Sequence, residues 1–227
     1  MEERWITEKE ISKFLDTLSQ FAKNNDKKIQ IFLFGGSALV LHGLREKTSD
    51  FDSIMLVNGE IDKKFFNDAK PLCLNSIGLY KDNELYENTF NDISVLPETA
   101  HVRAMEYHRN NYERYQFEFK ELDNLIVNIP SKKFLLSSRL VDLITNNPKT
   151  NLDKIDAQVL IKKLGINNEN KKEFLDSISH NKKHEITIVL DQVLKTMEYA
   201  SKASINIEEI KKSLSNNDLK ISLNHKK

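Results

Sequence analysis

Apolar positions first recur at helical spacing over residues 7–22, where Ile11, Phe14, Leu15, Leu18 and Phe21 fall on one face. Thr7, followed three residues later by Glu10, predicts a capping box at the start of that helix. A polar turn at residues 24–28 gives way to Ile29–Phe34, a run of Ile, Leu and Phe bounded by Lys28 and Gly35, which is the pattern of a buried strand. Gly35-Gly36-Ser37 follows without a spacer, and residues 38–44 have the apolar density of a helix packed on a sheet. After a loop at residues 45–49, Asp50-Phe51-Asp52 leads into Ile54, Met55, Leu56 and Val57, a second buried strand.

Further on, residues 59–74 read as a turn and a helix over 62–69 that ends at Pro71. Leu79-Tyr80 and Leu85-Tyr86 flank a polar turn and predict a hairpin; residues 91–96, stopped by Pro97, and 125–129, stopped by Pro130, predict strands. From Ser131 the spacing turns helical: 134–144, a break at Asn146-Asn147-Pro148, then 153–164, 171–178, 185–200 and 207–214. The expectation is an α+β domain over residues 1–146, a mixed sheet flanked by helices, followed by a C-terminal helical bundle over 147–227.

Composition narrows the classes. The 227 residues carry 34 basic and 34 acidic side chains, so no global field advertises nucleic acid, and 30% charged with 39% apolar residues suits a globular chain. The single Cys73 forms no internal disulfide, and no Cys/His set has zinc spacing. No early segment resembles a signal peptide and no run is long enough to span a bilayer, so a cytoplasmic location with no membrane partner is expected.

The chemistry concentrates at the glycine turn and the Asp pair. Residues two apart in a strand share a face, so Asp50 and Asp52 would stand side by side, which is costly unless a cation lies between them. Hard oxygen donors at that spacing suit magnesium. A glycine turn at a strand end lets backbone N–H groups approach a phosphate, and the helix that follows favours negative charge. Together these are the parts of phosphoryl or nucleotidyl transfer. The plainer alternative is a tight strand-to-helix turn followed by a polar, capped loop. A Walker-type ATPase is disfavoured because Gly43 is followed by Leu44, not by Lys and Ser/Thr, and no G-x-G-x-x-G is present for a dinucleotide.

Arg45 and Lys47, in the loop before the DxD strand, suit contact with substrate phosphates and equally suit solvated loop cations. His42 reads as a structural histidine beside the sheet. In residues 99–115, His101, Arg103, His108, Arg109 and Arg114 alternate with Met105, Tyr107, Tyr112 and Tyr115. That mixture suits phosphate contact and base stacking, and also an amphipathic helix with a wet face, the more frequent origin of such a pattern.

Phe34-Gly35-Gly36-Ser37, a helix-sized gap and Asp50-Phe51-Asp52 resemble the hG[GS]…DxD motif of the nucleotidyltransferase superfamily related to DNA polymerase beta. The string GGSALVLHGL…TSDFD is similar to the AbiEii-type branch, many of whose members are toxins of toxin–antitoxin or abortive-infection systems. The motif proper covers residues 34–52; the last sixty or so residues carry no resemblance. The resemblance implies a magnesium-dependent enzyme, with two metal ions and manganese as a substitute, that moves a nucleoside monophosphate from a nucleoside triphosphate (NTP) to an acceptor hydroxyl of RNA or protein. It also implies a cognate antitoxin as partner. Gly35, Gly36 and Ser37 would hold the triphosphate, and Asp50 and Asp52 the metals. A third carboxylate comes from a later strand in the family; Asp92 is the first candidate and Glu118 its rival. Family members also carry a basic residue on a following helix near the phosphates, for which Lys132, Lys133 and Arg139 are available, and Arg139 stands closest in context to the usual Lys. Lys154, in Asp153-Lys154-Ile155-Asp156, loosely matches a further Lys-Asp stretch near the family's active site. Two other classes stay open: a catalytically silent binding protein on the same fold, and a small-molecule (antibiotic) adenylyltransferase.

Overall fold

The computed structural model describes residues 5–81, 84–85, 90–92, 118–144, 150–178 and 183–202. The chain divides into two compact units, Met1–Ser131 and Lys132–Lys227. The helix Lys132–Ile144 thus groups with the helices that follow it, whereas the sequence expectation placed the boundary at residue 146.

In the first unit, β1 (Ile6–Thr7) leads into α1 (Glu8–Asn24). The capping box forms: the Thr7 N–H donates to Glu10 Oε2 at 2.7 Å, and the Thr7 hydroxyl meets the same carboxylate. Next come β2 (Ile29–Phe34), α2 (Gly35–Leu41), β3 (Lys47–Thr48), β4 (Phe51–Val57), α3 (Lys63–Ser76), β5 (Tyr80–Lys81) and β6 (Glu84–Leu85). Among the described residues three further strands follow: β7 (Phe90–Asp92), β8 (Glu118–Leu122) and β9 (Leu125–Ile129). Five strands form one mixed sheet in the order β7-β4-β2-β9-β8. The pairs β2/β4 and β8/β9 are antiparallel, while β2/β9 and β4/β7 are parallel.

Strand alternation sorts the side chains. Ile29, Ile31 and Leu33 of β2, Phe51, Met55 and Val57 of β4, and Leu125 and Val127 of β9 share one core with α1 and α3. The Phe14 ring of α1 stacks on Phe51 with centroids 4.4 Å apart. Phe51 therefore anchors the middle of the Asp-Phe-Asp triplet in that core.

Helix α3 departs from expectation: it runs through Pro71 instead of ending there. Asp62 caps its start, with the Phe65 N–H donating to Asp62 Oδ1 at 2.9 Å. The proline leaves the carbonyl four residues earlier without its helical donor, and that residue, Asn67, is exposed, so the carbonyl is not trapped in the core. Beyond the proline, Cys73, Leu74 and Ile77 are buried, and their burial carries the helix on.

The second unit contains α4 (Lys132–Ile144), α5 (Thr150–Leu164), α6 (Lys171–Ser177) and α7 (Lys183–Lys202). Helix α4 packs on α5 and α7, and α5 also packs on α7. Helix α5 begins three residues before the expected Asp153, which becomes part of its first turn. The stretches 93–117 and 203–227, including the cation–aromatic segment 99–115 and the helix expected at 207–214, lie outside the described residues.

Candidate nucleotide site

The antiparallel register between β2 and β4 sets the geometry. Phe34, the last residue of β2, pairs with Asp52, so Asp52 stands level with the strand end that leads directly into the glycine turn. Because Phe51 is fully buried on the α1 face, its neighbour Asp52 belongs to the other face, with Phe34 across from it. Asp50 directly precedes the strand, and both carboxylates are half-buried.

At the turn, Gly35 has φ +55°, a left-handed conformation in which a Cβ is strained. Gly36 is glycine for a different reason. A Cβ there would collide with Thr48 Oγ1 and stand 2.8 Å from Arg45 Nη1. The Arg45 guanidinium and the Thr48 hydroxyl thus lie directly against the backbone of the glycine turn. Thr48 is 1% exposed, and its Oγ1 stands 3.5 Å from Asp50 Oδ1, so one side chain touches both the turn and the first carboxylate. Ser37 is fully buried and its Oγ donates to the Phe34 carbonyl at 2.8 Å, which fixes the hydroxyl beneath the turn. Helix α2 has only 7 residues, so its dipole is short; an anion here would be held chiefly by turn amides and by Arg45.

Lys47 is exposed on β3, a strand that sequence periodicity did not predict because it is two residues long and pairs with the equally short β1. His42 is tied to the scaffold: its Nε2 lies 2.8 Å from the Pro130 carbonyl, which can only accept, so that nitrogen carries the proton.

The strand order separates the two candidates for a third carboxylate. Asp92 is on β7, hydrogen-bonded directly to β4; Glu118 is on β8 at the opposite edge, three strands from β4. Three strand spacings are roughly 14 Å. Register pairs Asp92 with Ser53 and Asn91 with Asp52, so it is Asn91 that stands level with the second Asp of the motif. Among the described residues, no group of three or more His, Cys, Asp or Glu side chains is placed to hold a metal ion. The Asp50/Asp52 pair supplies two carboxylates, hard oxygen donors fit for magnesium or manganese in type.

Arg139 and Lys154 belong to the second unit. Lys154 is exposed on α5. Arg139, 12% exposed, is surrounded by carboxylates: Nη1 is 3.1 Å from Asp142 Oδ2 and 3.1 Å from Asp153 Oδ1, and Nε is 3.3 Å from Asp156 Oδ2. Burial alone would pull its pKa down, but Asp156, Asp142 and Asp153 outweigh that and hold it above the usual arginine value. With three carboxylates around one cation, this guanidinium is a poor receptor for phosphate.

An open cleft of about 700 Å³ lined by Lys27, Asn58, Ile61 and Lys63 lies at the other end of β4, by Val57. Five strand residues, roughly 17 Å, separate Val57 from Asp52, so this cleft is distinct from the glycine turn. Among the described residues no helix is long and apolar enough to cross a membrane.

No family model and no curated protein matches the chain. Among solved structures it is similar to an antigenic nucleotidyltransferase-like protein from Paracoccidioides brasiliensis, at 14% identity and a TM-score of 0.50, covering 88% of this chain and 94% of that one. At that identity the likeness concerns the fold. The fold is α+β, with a mixed sheet, and is similar to that of the solved protein.

Proposed function

We propose that the chain is a magnesium-dependent nucleotidyltransferase that moves a nucleoside monophosphate from a nucleoside triphosphate to an acceptor hydroxyl on RNA or protein. The observation that carries this reading is the Phe34–Asp52 register, which sets a DxD carboxylate across from the strand residue that enters a glycine turn flanked by Arg45. Backbone N–H groups of Gly35, Gly36 and Ser37, with the Arg45 guanidinium, would bind the triphosphate, while Lys47 stands on the side of its ribbon opposite Thr48. Asp50 and Asp52 would hold magnesium, or manganese in its place. When bound, the metal neutralises phosphate charge as the α-phosphorus is attacked. The acceptor oxygen forms the new bond to the α-phosphorus, the α–β phosphoanhydride bond breaks, and pyrophosphate leaves. Asp92, on the strand next to β4, is proposed to take the hydroxyl proton. Its strand adjacency favours it over Glu118. Arg139 is assigned a structural role and is left out of phosphate binding.

A role as the toxin of a toxin–antitoxin system, with a cognate antitoxin as partner, rests on the motif's resemblance to the AbiEii-type branch. One observation favours a second reading: Asn91, an amide, is the residue level with Asp52. If the neighbouring strand contributes Asn91 in place of a carboxylate, the fold is a catalytically silent nucleotide-binding protein.

The test is transfer of label from each α-labelled nucleoside triphosphate, with magnesium, to total RNA and to protein. Wild type, Asp50→Ala/Asp52→Ala and Asp92→Asn are run side by side. Label in one fraction that vanishes in the double mutant establishes the transferase and its acceptor class. Transfer to neither fraction moves the reading to a small-molecule acceptor, and failure to bind any magnesium nucleotide rejects the nucleotide site itself.

A further inference from the structure

Trp5 is the chain's single tryptophan. It precedes β1, is 36% exposed, and has Lys47 Nζ 4.3 Å from the centroid of its ring. The ribbon that carries this pair is short and sharply two-sided. Register joins Ile6 to Thr48 and Thr7 to Lys47; Ile6 and Thr48 are each 1% exposed, while Trp5, Thr7 and Lys47 face solvent. Thr48 is the residue packed against Gly36, and two residues after it the chain reaches Asp50. The ribbon therefore has an inner side that closes on the glycine turn and an outer side that presents an aromatic ring with an ammonium on it.

Those two groups match the two parts of a nucleotide. A base has a π-face that stacks on indole whatever its sequence identity, and a phosphate pairs with an ammonium. A lysine resting on an exposed ring is weakly held and exchanges that contact readily for a phosphate. We propose that Trp5 and Lys47 form a nucleotide-stacking platform beside the transfer site, with the indole taking a nucleobase and the ammonium its phosphate. The platform's use in transfer rests on the function proposed above. The nucleotide has two possible sources, the donor triphosphate and a single-stranded acceptor.

Because Trp5 is the only tryptophan, intrinsic fluorescence of the full chain reads this one position. The chain is titrated with each of the four nucleoside triphosphates and with single-stranded RNA oligonucleotides of about ten residues, a length within the reach of one single-strand site. Saturable quenching by a triphosphate assigns the platform to the donor; quenching by the oligonucleotide assigns it to the acceptor. Binding of the quenching ligand, followed by anisotropy of a labelled copy, should weaken about tenfold in Trp5→Ala and recover most of the loss in Trp5→Phe. Lys47→Glu should weaken binding and flatten its salt dependence. Absence of saturable quenching by every probe, or unchanged affinity in Trp5→Ala, overturns the proposal. Should Trp5→Ala fail to fold, wild-type quenching and Lys47→Glu decide. The two proposals fail separately. Transfer that is lost in Asp52→Asn but keeps its KM in Trp5→Ala removes the platform and leaves the enzyme. Saturable quenching without transfer from any triphosphate removes the enzyme and leaves the platform.

Discussion

Gly36 has no room for a side chain, and the groups that fill its space are Thr48 and Arg45, both in the loop that leads into the DxD strand. Replacing it tests whether that contact matters. Gly36→Ala forces Thr48 and Arg45 off the turn, and overpacking of this kind costs about 1–3 kcal/mol. Thermal unfolding should show that loss, and nucleotide binding should fall with it, because the displaced Arg45 is a proposed phosphate ligand. A Gly36→Ala chain that melts and binds as wild type does would show that the turn is not closed by the loop. Phe51 acts at the same scale. Its burial against Phe14 keeps the middle of the triplet in the core, so that Asp50 and Asp52 are held at the strand entrance instead of fraying with the loop.

At the scale of elements, α4 and α5 are joined by a buried ion cluster in which Arg139 of α4 meets Asp153 and Asp156 of α5 as well as Asp142 of its own helix. Arg139→Met leaves three carboxylates together without their cation. Removal of one partner from a buried cluster costs about 3–5 kcal/mol, so denaturant midpoints should shift strongly, while Arg139→Lys, which keeps the charge but not the planar fork, loses less. If instead Arg139→Met unfolds as wild type does, the cluster is not a helix lock.

Much of this layout was legible in the sequence. The helical stripe from Ile11 to Phe21, the strands Ile29–Phe34 and Leu125–Ile129, and the glycine–DxD spacing are local patterns whose period survives packing. Three features were not legible, each for a physical reason. The β1–β3 ribbon is two residues per strand, too short to show alternation, and it sets Trp5, which no motif singles out, beside Lys47. Helix α3 passes Pro71 because buried residues beyond it outweigh one lost hydrogen bond. The partners of Arg139 lie across two helices, and sequence spacing does not report which face each helix turns to the other.

For the molecule as a whole, Cys73 offers a reporter of cooperative unfolding. It is fully buried in the core shared by α1, α3 and the sheet, and burial pushes its thiol up to about 12 from an ordinary 9.0. The folded state therefore keeps the proton after the unfolded state has released it. This contribution to stability is intact below about pH 9 and is lost as pH rises toward 12, by about 1.4 kcal/mol per unit. Cys73→Ala should flatten the alkaline fall in stability measured by denaturant titration, and thiol labelling of wild type at neutral pH should proceed only as fast as the chain opens. Rapid labelling under native conditions would contradict the buried placement.

The central claim is that the glycine turn and the Asp50/Asp52 pair act together as one magnesium–nucleotide site. Calorimetric titration of the full chain with each nucleoside triphosphate, with and without magnesium, tests it most directly, with Asp50→Asn/Asp52→Asn as the comparison. At least one triphosphate should bind wild type in a magnesium-dependent manner and bind the double variant at least about tenfold more weakly, the loss expected when charge-assisted contacts are removed. Equal binding by both chains, or binding indifferent to magnesium, would contradict it.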